Sequence, residues 1–224
     1  MKRTKLRDRV LPAYTRGEEI FNMVSHIVGG ALGVTTLALG VVIAALHRNA
    51  CAVVSAAIYG ASMVLLYTMS SIYHGLKPHL MAKRVFQVID HCSIFLLIAG
   101  TYTPIALVAL RAHFPALGWS VFGVIWAAAA VGILLNAIDL ARYRVVSMIC
   151  YLAMGWCILF AAPQTYYALG PGGCALLLCG GVLYTVGAVI YQRAKGRRYM
   201  HSVFHLFVVG GSVCHALCIL LFVL

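Results

Sequence analysis

Two histidines, His201 and His205, open the last apolar stretch of this 224-residue chain. On a helix, residues four apart lie one turn apart on the same face, about 40° from each other around the axis. Two imidazoles placed in this way can share one metal ion, and nitrogen ligands suit zinc among other first-row metals. The segment that follows, 206–224, is apolar enough to cross a bilayer, so any further ligand must reach the same depth.

The composition is that of a protein embedded in a membrane. Hydrophobic residues make up 63% of the chain and charged residues only 10%, which excludes a soluble domain of this size. The net charge of +12 falls almost wholly between the apolar segments, so it predicts contact with anionic lipid headgroups rather than with nucleic acid. The eight cysteines form no C-x-x-C pair and are expected to be reduced, buried thiols.

Seven apolar segments are each long enough to cross about 30 Å of hydrocarbon at about 1.5 Å per residue. This pattern predicts an all-α, polytopic membrane protein with a bundle of seven transmembrane helices. The bundle forms one domain, residues 20–224, and follows a basic cytoplasmic segment, residues 1–19. The seven segments are 20–46, 51–75, 84–110, 117–138, 144–162, 172–192 and 200–224.

The basic residues predict how this bundle is oriented. With seven spans, all of the 17 lysines and arginines except Arg48 and Arg111 fall on the side of the membrane that holds the N-terminus. Loops rich in lysine and arginine tend to stay in the cytoplasm. We therefore expect the N-terminus in the cytoplasm and the C-terminus outside.

Polar residues from three different segments are predicted to reach one layer just beneath the cytoplasmic surface. Ionisable side chains inside a span are costly and tend to mark function. At about 1.5 Å per residue, His74 and His201 lie about 3 Å from the inner boundary, and the others lie about 9 Å from it. The residues of this layer are His74, Ser70, Asp90, His201 and His205.

Three histidines at one depth, with a fourth position left open, are typical of a catalytic zinc site rather than a closed structural one. Asp90 is then placed to accept a proton from a water at the metal. Ser70 lies one turn from His74 and is placed to orient that water, a ligand or a substrate carbonyl. The alternative is a hydrogen-bonded polar cluster that fixes helix packing.

Five further polar residues have less definite roles. Glu19, Asn22 and His26 share one helical face and either pack against a neighbouring helix or line the mouth of the site. His91 points about 100° away from Asp90 around its helix, so we assign it to a contact with a neighbouring helix. His215 lies roughly 24 Å from the inner surface and is either a second-layer contact or part of a deeper cavity.

Several motifs of the chain, taken in order, resemble the bacterial hemolysin III family. That family is related to the progestin and adipoQ receptors and, more distantly, to the alkaline ceramidases. The resemblance extends from about residue 17 to the C-terminus. The motifs that carry it are Glu19-x-x-Asn22-x-x-Ser25-His26, Ser70-Ser71-Ile72-Tyr73-His74, Asp90-His91-Cys92-Ser93-Ile94-Phe95, Ala99-Gly100-Thr101-Tyr102-Thr103-Pro104 and His201-Ser202-Val203-Phe204-His205 through His215.

The resemblance implies a multi-pass protein of the bacterial inner membrane with a cytoplasmic N-terminus. It also implies a zinc ion (Zn2+) near the cytoplasmic side, held by His74, His201 and His205 with Ser70 and Asp90 close by. Relatives in this superfamily include lipid-amide hydrolases, and the resemblance therefore implies membrane lipids both as surroundings and as substrate.

Three functions remain open at this point. The first is a zinc-dependent, ceramidase-like hydrolase of a lipid amide or ester within the membrane. The second is a receptor-like regulator of membrane lipid homeostasis with a non-catalytic zinc. The third is a pore-forming or cytolytic protein, which a polar path across the whole membrane would favour. The polar residues concentrate on one side, so the sequence favours the first two.

Overall fold

The computed structural model describes residues 4–47, 49–193 and 196–224, and within these ranges the chain is helical with no strand. This confirms the all-helical prediction. A short 3-10 turn, Leu6–Asp8, precedes the helices. The helices are α1 (Arg16–Leu46), α2 (Ala50–Gly75), α3 (Met81–Pro104), α4 (Pro115–Trp156), α5 (Ala162–Arg193) and α6 (Met200–Phe222).

Five helical stretches of the described chain are long and apolar enough to cross a membrane. One of them, Pro115–Arg193, has 79 residues, about four times the length that a single crossing needs. Its backbone leaves helical geometry at Asp139, tightens to a 3-10 turn over Cys157–Ala161 and leaves it again at Gly170. The φ of Gly170 is +65°, a left-handed value that glycine adopts without a Cβ clash.

Two of these interruptions, at Asp139 and Gly170, fall in the loops predicted between the fourth, fifth and sixth spans, whereas the 3-10 turn lies inside the predicted span 144–162. Asp139 follows directly on the predicted span 117–138, and Gly170 lies between the predicted spans 144–162 and 172–192. The breaks at Asp139 and Gly170 therefore agree with the predicted loops, whereas α5 begins at Ala162, where the predicted fifth span ends. The number of membrane crossings stays a prediction.

The third helix changes its geometry at Pro104. A proline inside a helix has no N–H to donate and its ring clashes with the carbonyl four residues earlier. After Pro104 the chain continues as a wider π-helix over Ile105–Leu110 and then a single α-helical turn over Arg111–His113. This widened segment packs against α4.

Helix α1 packs along α2, α2 along α3, and α5 along α6, while α6 also returns to α1. The start of α1, the end of α2, the start of α3 and the start of α6 therefore meet at one end of the bundle. We call this the site end. A threonine cap begins α1 here: Thr15 accepts from the Glu18 backbone N–H, and the Glu18 carboxylate accepts from Thr15 in return.

The backbones of α1 and α2 approach each other closely at Gly60. A Cβ atom added to Gly60 would lie 2.5 Å from the Cα of Leu37 on α1, which is backbone and cannot move aside. Small residues allow this kind of approach between helices in an apolar environment. The contact fixes how deeply α1 sits against α2, and therefore where the α1 side chains meet the α2 histidine.

We expect Gly60→Ala to destabilise the bundle by about 1–3 kcal/mol, because the added methyl must push α1 and α2 apart. The matched control is Gly123→Ala in α4, where a Cβ would meet nothing within 4 Å. In the control, alanine should stabilise the helix slightly, by up to about 1 kcal/mol. Thermal unfolding in detergent measures both, and equal melting temperatures for the two variants would contradict the close approach.

Candidate metal centre

Three histidines from two helices converge at the site end. The Nε2 atom of His201 lies 3.3 Å from Nε2 of His74 and 3.1 Å from Nε2 of His205. His201 and His205 lie on successive turns of α6, and His74 lies in the last turn of α2. The three ligand atoms all lie within 4.8 Å of one another, so this group could hold a metal ion.

The spacing and the chemistry of these nitrogens fit a zinc ion. Zinc binds imidazole at about 2.0–2.1 Å, and a tetrahedral arrangement at that radius separates its ligands by about 3.3–3.4 Å. The observed separations of 3.1 Å and 3.3 Å lie close to this value. The side chains are also protected from bulk water, since His74 is 3% exposed and His205 is 1% exposed. The donor set therefore fits the predicted ion.

The outer nitrogens of two of the histidines contact oxygen atoms of α1. His74 Nδ1 lies 2.6 Å from Glu19 Oε2, and His205 Nδ1 lies 3.2 Å from the backbone oxygen of Asn22. Carboxylate and carbonyl oxygens only accept, so each Nδ1 carries the hydrogen and donates it. Each Nε2 is then left with its lone pair directed at the shared centre.

The Glu19 carboxylate has a second partner, the ammonium group of Lys83. Lys83 Nζ donates to Glu19 Oε1 at 2.6 Å and to the backbone oxygen of Leu76 at 2.9 Å. Its side chain is 1% exposed and also lies over the ring of Tyr73, with Nζ 5.0 Å from the centroid. A cation this deeply buried needs a paired anion, and Glu19 supplies it.

Two further side chains of α1 complete the wall behind the centre. The His26 ring stacks on the His205 ring with centroids 3.6 Å apart and planes 13° apart. Neither ring nitrogen of His26 has a hydrogen-bond partner among the described residues. Ser202, next to His201, donates to the Asn22 side-chain oxygen at 2.7 Å. Glu19 and Asn22 thus hydrogen-bond to neighbouring helices, while His26 stacks on a histidine of the cluster, so this face combines the two roles considered from sequence.

The histidine cluster opens onto an elongated cavity of about 180 Å³. Most of the lining is apolar and aromatic, drawn from α2, α3, α4, α5 and α6. Ser70 and Asp90 line it together with His201 and His205, so four of the five residues predicted for one layer border one space. A cavity of this kind, with a few polar groups at one end, is typical of a site for an amphiphilic small molecule.

The cavity also shows where two residues lie whose roles the sequence left open. His91 lines the cavity beside Asp90, and its backbone oxygen also accepts from Tyr151 of α4 at 2.7 Å, so it borders the cavity and contacts a neighbouring helix. The His91 ring lies close to its own helix: Nδ1 is 2.9 Å from the backbone oxygen of Gln87 and 3.6 Å from Asp90 Oδ2. His215 lines the cavity as well, which selects the deeper-cavity alternative.

Sequence reasoning missed two contributors to the site. Tyr14 precedes α1 and stacks on His201, with centroids 5.0 Å apart and planes 19° apart. Burial raises the pKa of the Tyr14 phenol, which keeps it protonated. Lys83 was counted only as a basic residue of a cytoplasmic loop. Neither residue belongs to a periodic pattern or a motif. Tyr14 reaches the site from an extended segment, and Lys83 reaches it through its long side chain.

Comparisons with known proteins give consistent matches over nearly the whole chain. A family model described as haemolysin-III related matches residues 14–216. Hemolysin-3 of Bacillus cereus is 40% identical over 207 residues, which is 92% of either chain. The Hemolysin-3 homolog of Bacillus subtilis is 36% identical over 93% of this chain and 96% of its own. The human monocyte to macrophage differentiation factor is 29% identical over 72% of this chain and 67% of its own.

We expect the purified protein to bind one zinc ion per chain and the double variant His201→Ala/His205→Ala to bind none, because two of three ligands are removed. Elemental analysis of detergent-purified protein, prepared without chelator, measures this directly. The matched control is His215→Ala, which removes a histidine of the same helix about 15 Å away along the axis. Metal retained in the double variant, or lost in the control, would contradict the assignment of ligands.

Proposed function

The chain belongs to the haemolysin-III-related family, as its motifs predicted, and on that premise we propose that it is a zinc-dependent hydrolase of a lipid amide or ester. The observation that carries the proposal is the composition of one cavity. Two of the three converging histidines, a carboxylate and a hydroxyl line it, and most of the rest of its wall is apolar or aromatic. This arrangement matches the requirements of a hydrolase for a substrate with a long hydrocarbon portion.

His74, His201 and His205 are the proposed ligands. A zinc ion, when bound, polarises a carbonyl oxygen and makes water acidic enough to react near neutral pH. The chain itself supplies the groups that handle protons and orientation. The Asp90 carboxylate takes up the proton of the attacking water and returns it to the leaving amine or alcohol.

Ser70 is the proposed orienting group. Its side chain is 1% exposed, lies one turn from His74 on α2 and lines the same cavity. Its hydroxyl can donate to the carbonyl oxygen of a bound substrate and hold it facing the histidines. The apolar wall formed in part by Leu66 and Ile98 would hold the hydrocarbon chain and exclude bulk water.

We also propose seven membrane crossings, with the N-terminus and the histidine cluster at the cytoplasmic face of the bacterial inner membrane. The interruptions at Asp139 and Gly170 support this count, since they divide one 79-residue stretch into pieces of crossing length. The distribution of basic residues supports the orientation. The one transmembrane domain then runs over residues 20–224 after the basic segment 1–19.

A regulator with a non-catalytic zinc is the second candidate. The stacking of Tyr14 on His201 favours it, because a ring over the cluster restricts access from the N-terminal side. A pore is the third candidate, because two relatives carry the names Hemolysin-3 and Hemolysin-3 homolog. A pore would conduct ions across planar bilayers even after His205→Ala, whereas both zinc-centred functions depend on that residue.

We expect the purified, zinc-loaded protein to release fatty acid from a ceramide-like lipid, and Asp90→Asn to lower the rate at least about 100-fold, because the proton acceptor is lost. Mass spectrometry of the released fatty acid measures the rate. Asp8→Asn is the control, since it makes the same carboxylate-to-amide change at an exposed position before α1. A zinc-loaded protein that cleaves no lipid amide or ester would exclude the hydrolase and leave the regulator.

We expect Arg142→Cys to react only with membrane-permeant thiol reagents and Arg111→Cys to react with impermeant ones as well. Seven crossings place position 142 in the cytoplasm and position 111 outside. Labelling of intact cells measures this, in a background whose eight native cysteines are replaced. Reaction of position 142 with an impermeant reagent would refute the proposed orientation.

A further inference from the structure

We propose that Glu19 is a positioning residue for the metal centre, which fixes the tautomer and the orientation of His74 and is itself held in place by Lys83. The inference rests on the proposed metal site and assigns a role that the ligand set alone does not give. It concerns the outer face of the centre, where α1 meets α2 and α3. The resulting chain of contacts runs from metal ligand to carboxylate to buried ammonium.

The first step is the state of the His74 ring. Its Nδ1 lies 2.6 Å from Glu19 Oε2, the short distance of a hydrogen bond to a carboxylate. Because the carboxylate only accepts, the hydrogen of the neutral ring is placed on Nδ1 and the lone pair on Nε2. Nε2 is the atom that faces His201 at 3.3 Å. Glu19 therefore selects the one neutral tautomer that can bind a metal at this centre.

The second step is what holds the carboxylate. Lys83 Nζ lies 2.6 Å from the other carboxylate oxygen, and it is anchored in turn by the Leu76 carbonyl at 2.9 Å. With one oxygen on Lys83 and the other on His74, the Glu19 carboxylate has little freedom to rotate. The Lys83 side chain starts from α3 and Leu76 follows α2, so the clamp ties three helices to the orientation of one imidazole.

The third step is charge. Three neutral imidazoles leave the full charge of a divalent cation uncompensated, and Lys83 adds a further positive charge close behind His74. Glu19 is the carboxylate in contact with both groups. Glu19 therefore favours cation binding at the centre in two ways: it orients the His74 lone pair, and it offsets the Lys83 charge. Outer groups of this kind typically change metal affinity about 10- to 100-fold.

The other two ligands differ from His74 in this respect. His205 Nδ1 lies 3.2 Å from the backbone oxygen of Asn22, which no side-chain substitution removes, and a further 3.4 Å contact joins it to Ser25 Oγ. His201 Nδ1 has no hydrogen-bond partner among the described residues. His74 is thus the ligand whose orientation depends on a single replaceable side chain, and this makes the role of Glu19 testable by substitution.

The test compares Glu19→Gln with Asp8→Asn in the full-length protein. Glutamine has the shape of glutamate, but it offers one acceptor oxygen and directs an NH2 group at either His74 or Lys83. Asp8 is the control, because it is an exposed carboxylate before α1 and its ion pair is to Arg7, not to a histidine. Zinc affinity is measured by competition with a chromophoric chelator, and the visible spectrum of the cobalt(II)-loaded protein reports ligand geometry.

We expect Glu19→Gln to weaken zinc binding about 10- to 100-fold and to shift the cobalt bands. Asp8→Asn should change the affinity less than about threefold, although it removes the same charge. A Glu19→Gln protein that loses thermal stability without metal but keeps its parental zinc affinity and cobalt spectrum would overturn the inference, because Glu19 would then serve packing alone. Equal weakening in both variants would overturn it as well, since only net charge would matter.

The outcome for the unsubstituted protein separates the two proposals. A parent that binds zinc while Glu19→Gln binds it equally well refutes only the role of Glu19. A parent that binds neither zinc nor cobalt refutes the metal centre and the positioning role together. Glu19→Asp offers a further check, since it keeps the charge but draws the carboxylate back by one methylene. If direct contact matters, Glu19→Asp should lose affinity in spite of its charge.

Discussion

Polar side chains at the site end depend on one constraint: an apolar bundle surrounded by hydrocarbon offers them no water, so each needs a partner within the chain. The carboxylate of Glu19 meets this constraint for two helices at once, by accepting from His74 of α2 and Lys83 of α3. The backbone of Asn22 does the same for His205. Helix α1 therefore supplies the acceptors, while α2 and α6 supply the imidazoles that point inward.

The sequence identified the three histidines because depth along a helix is simple arithmetic. The rise per residue brought His74, His201 and His205 to one layer without any knowledge of how the helices pack. Asp90 and Ser70 followed from the same argument, and they do line the same cavity. Depth is well determined by sequence whenever a span has clear ends, and here basic or proline-containing loops mark those ends.

Direction around a helix proved harder to predict than depth. An ideal 100° step separates His91 from Asp90, yet both residues line one cavity, because a wide space is bordered by a broad arc of a helix. Lys83 shows the same limitation, since its ammonium reaches Glu19 from a residue that the pattern places at a membrane boundary. Tyr14 lies outside every periodic segment. The helices and the ligands were thus predictable from local rules, whereas the contacts that orient the ligands depend on tertiary packing.

The junction between α1 and α6 has a consequence for the order in which the molecule is made. Tyr199 donates its backbone N–H to Glu18 across 181 positions of sequence, and Ser202 donates to Asn22 across 180. Two of the three imidazoles belong to this final helix, so a nascent chain that ends before His201 carries only His74. The centre can therefore be completed only after His205 has been synthesised, when α6 docks on α1. Closure of the bundle and completion of the histidine cluster are then one event.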